Sequence, residues 1–273
     1  MKYSLQFLLT VSMIVGVAAL TVNAQQNTIP TLREMKWNVE GTARKALVYL
    51  PAAPGSSKPH PLIVAFHGHG GTMHNMYRTH RFDLLWPEAI VVYPQGLNTP
   101  GNLTDPEGKK TGWQQLNAMG NRDLTFFDQM LDSLKRVFNI DDNRVYATGH
   151  SNGGNFVYQL WALRGKLFAA FAPTSTLPGK NILSLKPKPA FIVTGAKDPL
   201  VKPDNQYLVH QRLLKLNGCD LAGSKDGPYI TNYSSAKGTP VTLYIHPGGH
   251  EYPQDANAAI INFFKQQILN NKD

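Results

Sequence analysis

The sequence has little cysteine and little charge. Cys219 is the only cysteine in 273 residues, which excludes an intrachain disulfide framework and any zinc site built on paired cysteines. Charged residues make up 16% of the chain and hydrophobic residues 42%, without long runs of one charge. This apolar content can build a core, which argues against disorder. The 23 glycines and 19 prolines argue against a coiled coil.

Basic residues outnumber acidic ones, 27 to 18, giving a formal net charge of +9. Such a balance suits acidic polymers, including uronate-bearing polysaccharides, and it also suits solubility. No basic stripe is interleaved with aromatic residues, so the charge does not predict nucleic-acid binding.

The start of the chain has the pattern of a secretory signal peptide. Lys2 is followed by a mostly apolar stretch over 5–20, and residues 22–24 resemble a cleavage site. The apolar stretch is shorter than the roughly 20 residues that a membrane span needs. We therefore expect residues 1–24 to be removed and the mature protein to lie in the periplasm or the extracellular medium, off the membrane. Cys219 is then expected to be a buried or inert thiol.

Short β-rich runs alternate with amphipathic stretches along the remaining chain. The predicted strands cover 45–50, 62–66, 90–93, 144–148, 168–172, 190–194 and 241–246, and the predicted helices cover 123–138, 155–163, 204–216 and 254–269. This alternation predicts one α/β domain over 25–273, with a mostly parallel central sheet and helices on both faces. A polar segment over 95–121 surrounds Trp113, and its length indicates a functional or disordered loop.

The string Gly149-His150-Ser151-Asn152-Gly153 lies between a predicted strand and a predicted helix. A sharp strand-to-helix turn of this kind exposes a serine hydroxyl, while the helix N-terminus favours negative charge beside it. A chance Gly-x-Ser-x-Gly in a turn would not have this context. We therefore predict that Ser151 is a nucleophile.

A glycine-rich loop, His67-Gly68-His69-Gly70-Gly71, follows the strand predicted over 62–66. Acyl transfer needs hydrogen-bond donors for a tetrahedral oxyanion, and such a loop supplies one of them. We assign this role to the backbone N–H groups of His69 and Asn152. A metal site on His67, His69 and His74 is the alternative, but no carboxylate stands at a useful spacing. We expect no metal and no cofactor.

A serine nucleophile needs a base and an orienting acid. His250 follows the flexible Pro247-Gly248-Gly249 after the last predicted strand, and His246 and His210 are the alternatives. Asp198 stands just beyond the carboxyl end of the strand over 190–194, where open α/β sheets place their sites. Asp204 is the alternative acid. We predict the triad Ser151, Asp198 and His250.

These motifs resemble the α/β-hydrolase family of secreted esterases that includes polyhydroxybutyrate depolymerases and feruloyl or acetylxylan esterases. The resemblance also rests on Tyr93-Pro94-Gln95-Gly96, Gly112-Trp113, residues 195–201 and residues 248–253. It implies the α/β-hydrolase fold and the same triad, and it places Trp113 near the acyl or alcohol pocket. We assign His150 and Tyr252 to substrate binding as well. Relatives usually have tryptophan where Tyr252 stands, and many have paired cysteines or an added substrate-binding module.

The expected activity is that of a serine carboxylesterase acting on feruloyl or acetyl esters of plant cell-wall polysaccharides. An aromatic residue beside the site would suit an aryl acyl group or a sugar face. A polyhydroxybutyrate or short-polyester depolymerase is the alternative. A peptidase of the prolyl-oligopeptidase type lacks room for its propeller in residues 25–44. A non-catalytic carbohydrate-binding protein on the same fold is the alternative from another class.

Overall fold

The computed structural model describes residues 29–55, 57–101, 104–115 and 121–269. The predicted signal peptide, residues 1–24, lies outside the described residues. Within those residues, no helix has both the length and the apolar character needed to cross a membrane.

A ten-stranded sheet runs through the described part of the chain. The strands in chain order, including a separate two-stranded pair formed by β5 and β6, are β1 (Thr31–Val39), β2 (Thr42–Leu50), β3 (His60–Phe66), β4 (Ile90–Pro94), β5 (Leu97–Asn98), β6 (Thr111–Gly112), β7 (Ile140–His150), β8 (Ala170–Thr174), β9 (Ala190–Gly195), β10 (Ser224–Asp226), β11 (Ile230–Tyr233) and β12 (Val241–His246). Their spatial order is β1-β2-β4-β3-β7-β8-β9-β12-β11-β10. The six strands from β4 to β12 are parallel, and antiparallel strands flank them at both edges.

Helices cover both faces of the sheet. They are α1 (Met73–His80), α2 (Phe82–Leu85), α3 (Arg122–Val137), α4 (Asn152–Arg164), α5 (Pro203–Asn217) and α6 (Ala256–Lys265). The strands supply alternate side chains to two hydrophobic clusters: Val64 of β3 packs with residues of α3, α4 and α5, and its neighbour Ile63 with residues of α1, α2 and α6. Strands buried on both faces are continuously apolar, as β3 is, because helices cover parallel sheets on each side.

The predicted α/β architecture is confirmed, with corrections at the edges. Strand β1 and helix α1 were not predicted, because both are short in apolar residues. The few they have do follow the expected periods: Met35, Trp37 and Val39 alternate in β1, and Met73 and Met76 lie on one face of α1. Helix α4 begins at Asn152, three residues before the predicted start, and α6 is shorter at both ends than predicted. The segment 95–121 is not structureless, since β5 and β6 pair within it.

Candidate active site

Ser151 occupies the turn between β7 and α4. Its backbone has φ 54° and ψ −117°, a region that residues with a Cβ rarely adopt. Neighbouring glycines permit the turn: a Cβ on Gly153 would stand 2.3 Å from the carbonyl oxygen of Phe66. The Ser151 N–H donates to the Thr174 carbonyl at 2.9 Å, which ties the turn to β8. The hydroxyl is therefore held at the carboxyl end of the central strands.

His250 and Asp198 complete a hydrogen-bonded chain to Ser151. The His250 Nε2 lies 2.8 Å from Ser151 Oγ, and its Nδ1 lies 2.9 Å from Asp198 Oδ2. A carboxylate accepts only, so Nδ1–H donates to Asp198 and Nε2 is free to accept the serine proton. The structure thus brings the three predicted triad residues together in the order that activates a hydroxyl for attack on a carbonyl.

The buried Asp198 carboxylate is oriented by the loop after β9. Its Oδ1 accepts hydrogen bonds from the N–H groups of Leu200 at 2.9 Å and Val201 at 2.8 Å. The alternative acid, Asp204, lies exposed in the first turn of α5. Asp198 is therefore the carboxylate that the fold aims at His250.

The alternative bases have other surroundings. His246 is buried at the end of β12, and its Nδ1 accepts from the Gly248 N–H at 3.2 Å. His210 is buried within α5, where burial lowers its pKa to about 4. Neither histidine is hydrogen-bonded to Ser151 in the described structure.

The loop that carries His250 closes against β9. A Cβ on Gly195 would stand 1.9 Å from the carbonyl oxygen of Gly249, so a glycine is required where the two segments meet. The Glu251 carboxylate accepts from the Gly249 N–H at 2.9 and 3.0 Å. Sequence reasoning missed Glu251, although its place beside His250 could have indicated a carboxylate that shapes the loop.

His69 and Asn152, the two predicted oxyanion donors, line one cavity with Ser151 and His250. The His69 ring also makes a contact that was not predicted, since its Nε2 lies 3.1 Å from Asp105 Oδ2. Asp105 accepts further hydrogen bonds from the N–H groups of Lys109 and Lys110, which lower the pKa of its carboxyl. This contact joins the segment between β5 and β6 to the glycine-rich loop over residues 67–71, which we call the oxyanion loop.

His67 braces the same loop through both ring nitrogens. Its Nδ1–H donates to the Gly68 carbonyl at 2.8 Å, and its Nε2 accepts from the Gly96 N–H at 2.9 Å. Burial lowers its pKa to about 4, so the ring stays neutral. Both ring nitrogens of His67 are therefore hydrogen-bonded, which argues against the alternative metal site with His69 and His74. Within the described ranges, no three His, Cys, Asp or Glu side chains are placed to hold a metal ion.

Trp113 corrects a predicted substrate contact. Its ring is 0% exposed, stacks on Phe156 and packs edge-on against Phe66. Its Nε1–H donates to the His67 carbonyl at 2.8 Å. A ring closed off in this way cannot touch a substrate, and it anchors its loop to the core. The Asn152 side chain strengthens this anchor by accepting from the Trp113 N–H at 2.6 Å and donating to the Trp113 carbonyl at 3.0 Å.

His150 and Tyr252, the other predicted substrate contacts, lie beside the triad. His150 Nε2 lies 2.8 Å from the carbonyl oxygen of His250, to which it donates. Burial lowers the pKa of His150 to about 4. The Tyr252 ring packs on His80 at 4.1 Å, and its hydroxyl donates to Asn257 Oδ1 at 2.5 Å. Both residues border a small cavity beyond the oxyanion loop, and His150 also borders the main one.

The main cavity above Ser151 has a volume of about 520 Å³. Its lining includes Gly68 and His69 of the glycine-rich loop, the side chains of Ser151 and His250, and the segments around Thr176, Leu200 and Lys202. This volume falls within the range of small-molecule sites. Ser151 is therefore accessible to a ligand of moderate size.

Sequence comparison shows that the chain is similar to proteins named as esterases. The chain is 30% identical over 213 residues to a bifunctional acetylxylan esterase/xylanase from Neocallimastix patriciarum, an alignment that covers 75% of this chain and 28% of the relative. It is 28% identical over 242 residues to feruloyl esterase C from Emericella nidulans, with 81% of each chain covered. No family model matches the chain.

The fold recurs in a solved acetyl xylan esterase from Aspergillus awamori, which superimposes with a TM-score of 0.63 at 16% identity. That superposition covers 86% of this chain and 99% of the other. The chain has the α/β-hydrolase fold. It has homologues named feruloyl esterase and acetylxylan esterase, which confirms the resemblance inferred from its motifs.

Proposed function

We propose that this α/β-hydrolase is a serine carboxylesterase that hydrolyses feruloyl or acetyl esters on plant polysaccharides. The observation that carries the proposal is the hydrogen-bonded chain from Ser151 through His250 to Asp198 at the base of an open cavity. The names of the sequence relatives support the ester class and the polysaccharide substrate. The sequence pattern of the first 24 residues supports a secreted enzyme.

The reaction follows from the hydrogen-bond directions. His250 Nε2 takes the proton from Ser151 as Oγ bonds to the ester carbonyl carbon, and Asp198 stabilises the resulting imidazolium. The backbone N–H groups of His69 and Asn152 hold the oxyanion. The alcohol leaves with the proton from His250. Water then attacks the acyl-enzyme, His250 takes its proton and returns it to Ser151, and the free acid departs.

The test is acid release from feruloylated arabinoxylan, acetylated xylan and short-chain polyhydroxybutyrate by purified wild type and Ser151→Ala. We expect release from one or both plant esters and a fall in kcat of about 10³-fold or more in Ser151→Ala. Ser184→Ala is the matched control, because Ser184 is exposed and does not border the cavity. Release from the polyester alone would overturn the polysaccharide assignment, and full activity in a folded Ser151→Ala protein would overturn the mechanism.

A fluorophosphonate probe separates the esterase from a non-catalytic binding protein on the same fold. We expect the probe to label wild type at Ser151 and to leave Ser151→Ala unlabelled, because only an activated hydroxyl reacts. Binding of xylan without labelling would favour the non-catalytic protein.

A further inference from the structure

A second cavity of about 200 Å³ is bordered by the oxyanion loop and helix α1. The two cavities share Gly68, His69 and His150, so they meet beside the nucleophile. The remaining lining comes from His67 and Gly71 of the same loop, from Tyr252, and from helix α1, which supplies Asn75, Met76, Thr79 and His80. Its volume is below the roughly 300 Å³ at which sites for larger ligands begin, so it fits a single ring.

His150 presents a hydrogen-bond acceptor at this junction. Its Nε2–H donates to the carbonyl of His250, which leaves the lone pair on Nδ1. The point where a Cβ of Gly68 would stand lies 3.2 Å from His150 Nδ1 and 3.6 Å from Ser151 Cβ. His150 Nδ1 and the Ser151 side chain therefore both lie beside Gly68.

The walls of the second cavity combine apolar surface with a few uncharged polar groups. Asp, Glu, Lys and Arg are absent from its described lining. Burial lowers the pKa of His80 to about 3 and that of His150 to about 4, so both rings stay neutral at ordinary pH. His80 donates through Nδ1–H to the Met76 carbonyl, and its buried Nε2 has no partner among the described residues. Acceptors without charge suit the hydroxyl groups of a neutral ligand.

We propose that the second cavity holds the sugar ring that carries the scissile ester, and that His150 Nδ1 accepts a hydrogen bond from the hydroxyl beside that ester. The inference rests on the proposed esterase function and adds the recognition of the alcohol half of the substrate. A hydroxyl on the carbon next to the ester stays close to the scissile carbonyl, as His150 Nδ1 stays close to Ser151. The phenol of a feruloyl group lies beyond a double bond and a ring, too far to make this contact.

The test uses esters of trans-1,2-cyclohexanediol, which present one hydroxyl beside the ester, and of trans-2-methoxycyclohexanol, which has the same ring without the donor. Both are prepared as acetates and as ferulates. We expect wild type to favour the free hydroxyl at least about tenfold in kcat/KM, because a site built to bind a hydroxyl rejects an analogue that lacks it. His150→Phe should reduce that preference to about one.

The ratio of kcat/KM for the hydroxyl ester to that for the methoxy ester separates recognition of the hydroxyl from other effects of the substitution. Loss of the bond to the His250 carbonyl slows both esters alike, whereas loss of the Nδ1 acceptor slows only the hydroxyl ester. His150→Gln, which retains an acceptor oxygen, should restore part of the preference. His210→Phe is the matched control, since it replaces a buried histidine outside the site and should leave the ratio unchanged.

Two results would overturn the inference. One is a wild-type preference below twofold in esters that the enzyme does hydrolyse. The other is a preference that survives in His150→Phe. If His150→Phe does not fold, calorimetric binding of the two alcohols' acetates to Ser151→Ala decides the matter, and equal affinities would overturn it. Failure to hydrolyse any of these esters or the plant polymers would count against the proposed function instead.

Discussion

At the scale of single residues, the site depends on groups whose hydrogen-bond roles are fixed by their neighbours. Asp198 can only accept, and three donors fill its two oxygens: the N–H groups of Leu200 and Val201, and His250 Nδ1–H. His150 is fixed in the same way by the His250 carbonyl. Because His250 Nδ1–H donates to Asp198, the imidazole carries its proton on Nδ1. Its Nε2 is then free to take the proton of Ser151.

Asp198→Asn tests this fixed arrangement. An amide retains the shape but can present an N–H to His250, which favours the tautomer with the proton on Nε2 and leaves Ser151 without a base. We expect kcat to fall about 10³- to 10⁴-fold, with KM and the urea unfolding midpoint changed far less. Steady-state kinetics on one plant ester measures this. A loss below tenfold would show that Asp198 does not orient the base.

The triad could be predicted from the sequence because each member follows a recognisable buried strand. Ser151 follows β7, Asp198 follows β9 and His250 follows β12, and the carboxyl ends of parallel strands meet at one edge. Trp113 could not be interpreted in this way. A tryptophan in a polar loop has no strand to fix its direction, and its packing on Phe156 joins residues far apart in the chain.

At the scale of elements, the segment from β5 to the start of α3 is pinned to the site at several points. Its contacts include the reciprocal pair between Asn152 and the Trp113 backbone and the pair between His69 and Asp105. Behind them, the buried Arg44 guanidinium of β2 donates to Asp123 at 2.7 Å. These pairs join residues that are far apart in the chain, and no sequence pattern relates their positions. The sequence therefore indicates a long loop here but not the residues that the loop contacts.

Asn152→Ala should loosen this segment without removing the oxyanion N–H. The substitution leaves the Trp113 N–H and carbonyl without their partners, each costing about 1–3 kcal/mol if it stays buried. We expect a lower urea midpoint and a fall in kcat of about tenfold, because the loop against the oxyanion site shifts. Denaturant unfolding and kinetics on the same preparation measure both effects.

The matched control for Asn152→Ala is Asn155→Ala. Asn155 stands in the same helix, but its side chain donates to the Leu177 carbonyl at 2.8 Å and not to Trp113. Equal effects of the two substitutions on kcat would contradict a specific role for the Trp113 contact.

At the scale of the whole molecule, buried neutral histidines make folding depend on pH. Burial lowers the pKa of His67, His150 and His210 to about 4 and that of His80 to about 3. The unfolded chain protonates such residues near pH 6.5. Between these values the unfolded state binds more protons than the folded one, so stability falls as the pH drops.

The number of these protons can be measured. Near pH 5 the unfolded state binds almost one more proton than the folded state at each of the four histidines. The slope of the free energy of unfolding against pH should therefore correspond to the binding of at least about three protons on unfolding. Urea unfolding at a series of pH values from 4.5 to 7 gives the slope. His210→Phe removes one such group far from the triad and leaves no partner unpaired, because the described structure shows none for its Nε2. The variant should take up about one proton fewer on unfolding than wild type, and it should retain activity. An unchanged number of protons would mean that His210 is protonated in the folded protein as readily as in the unfolded chain.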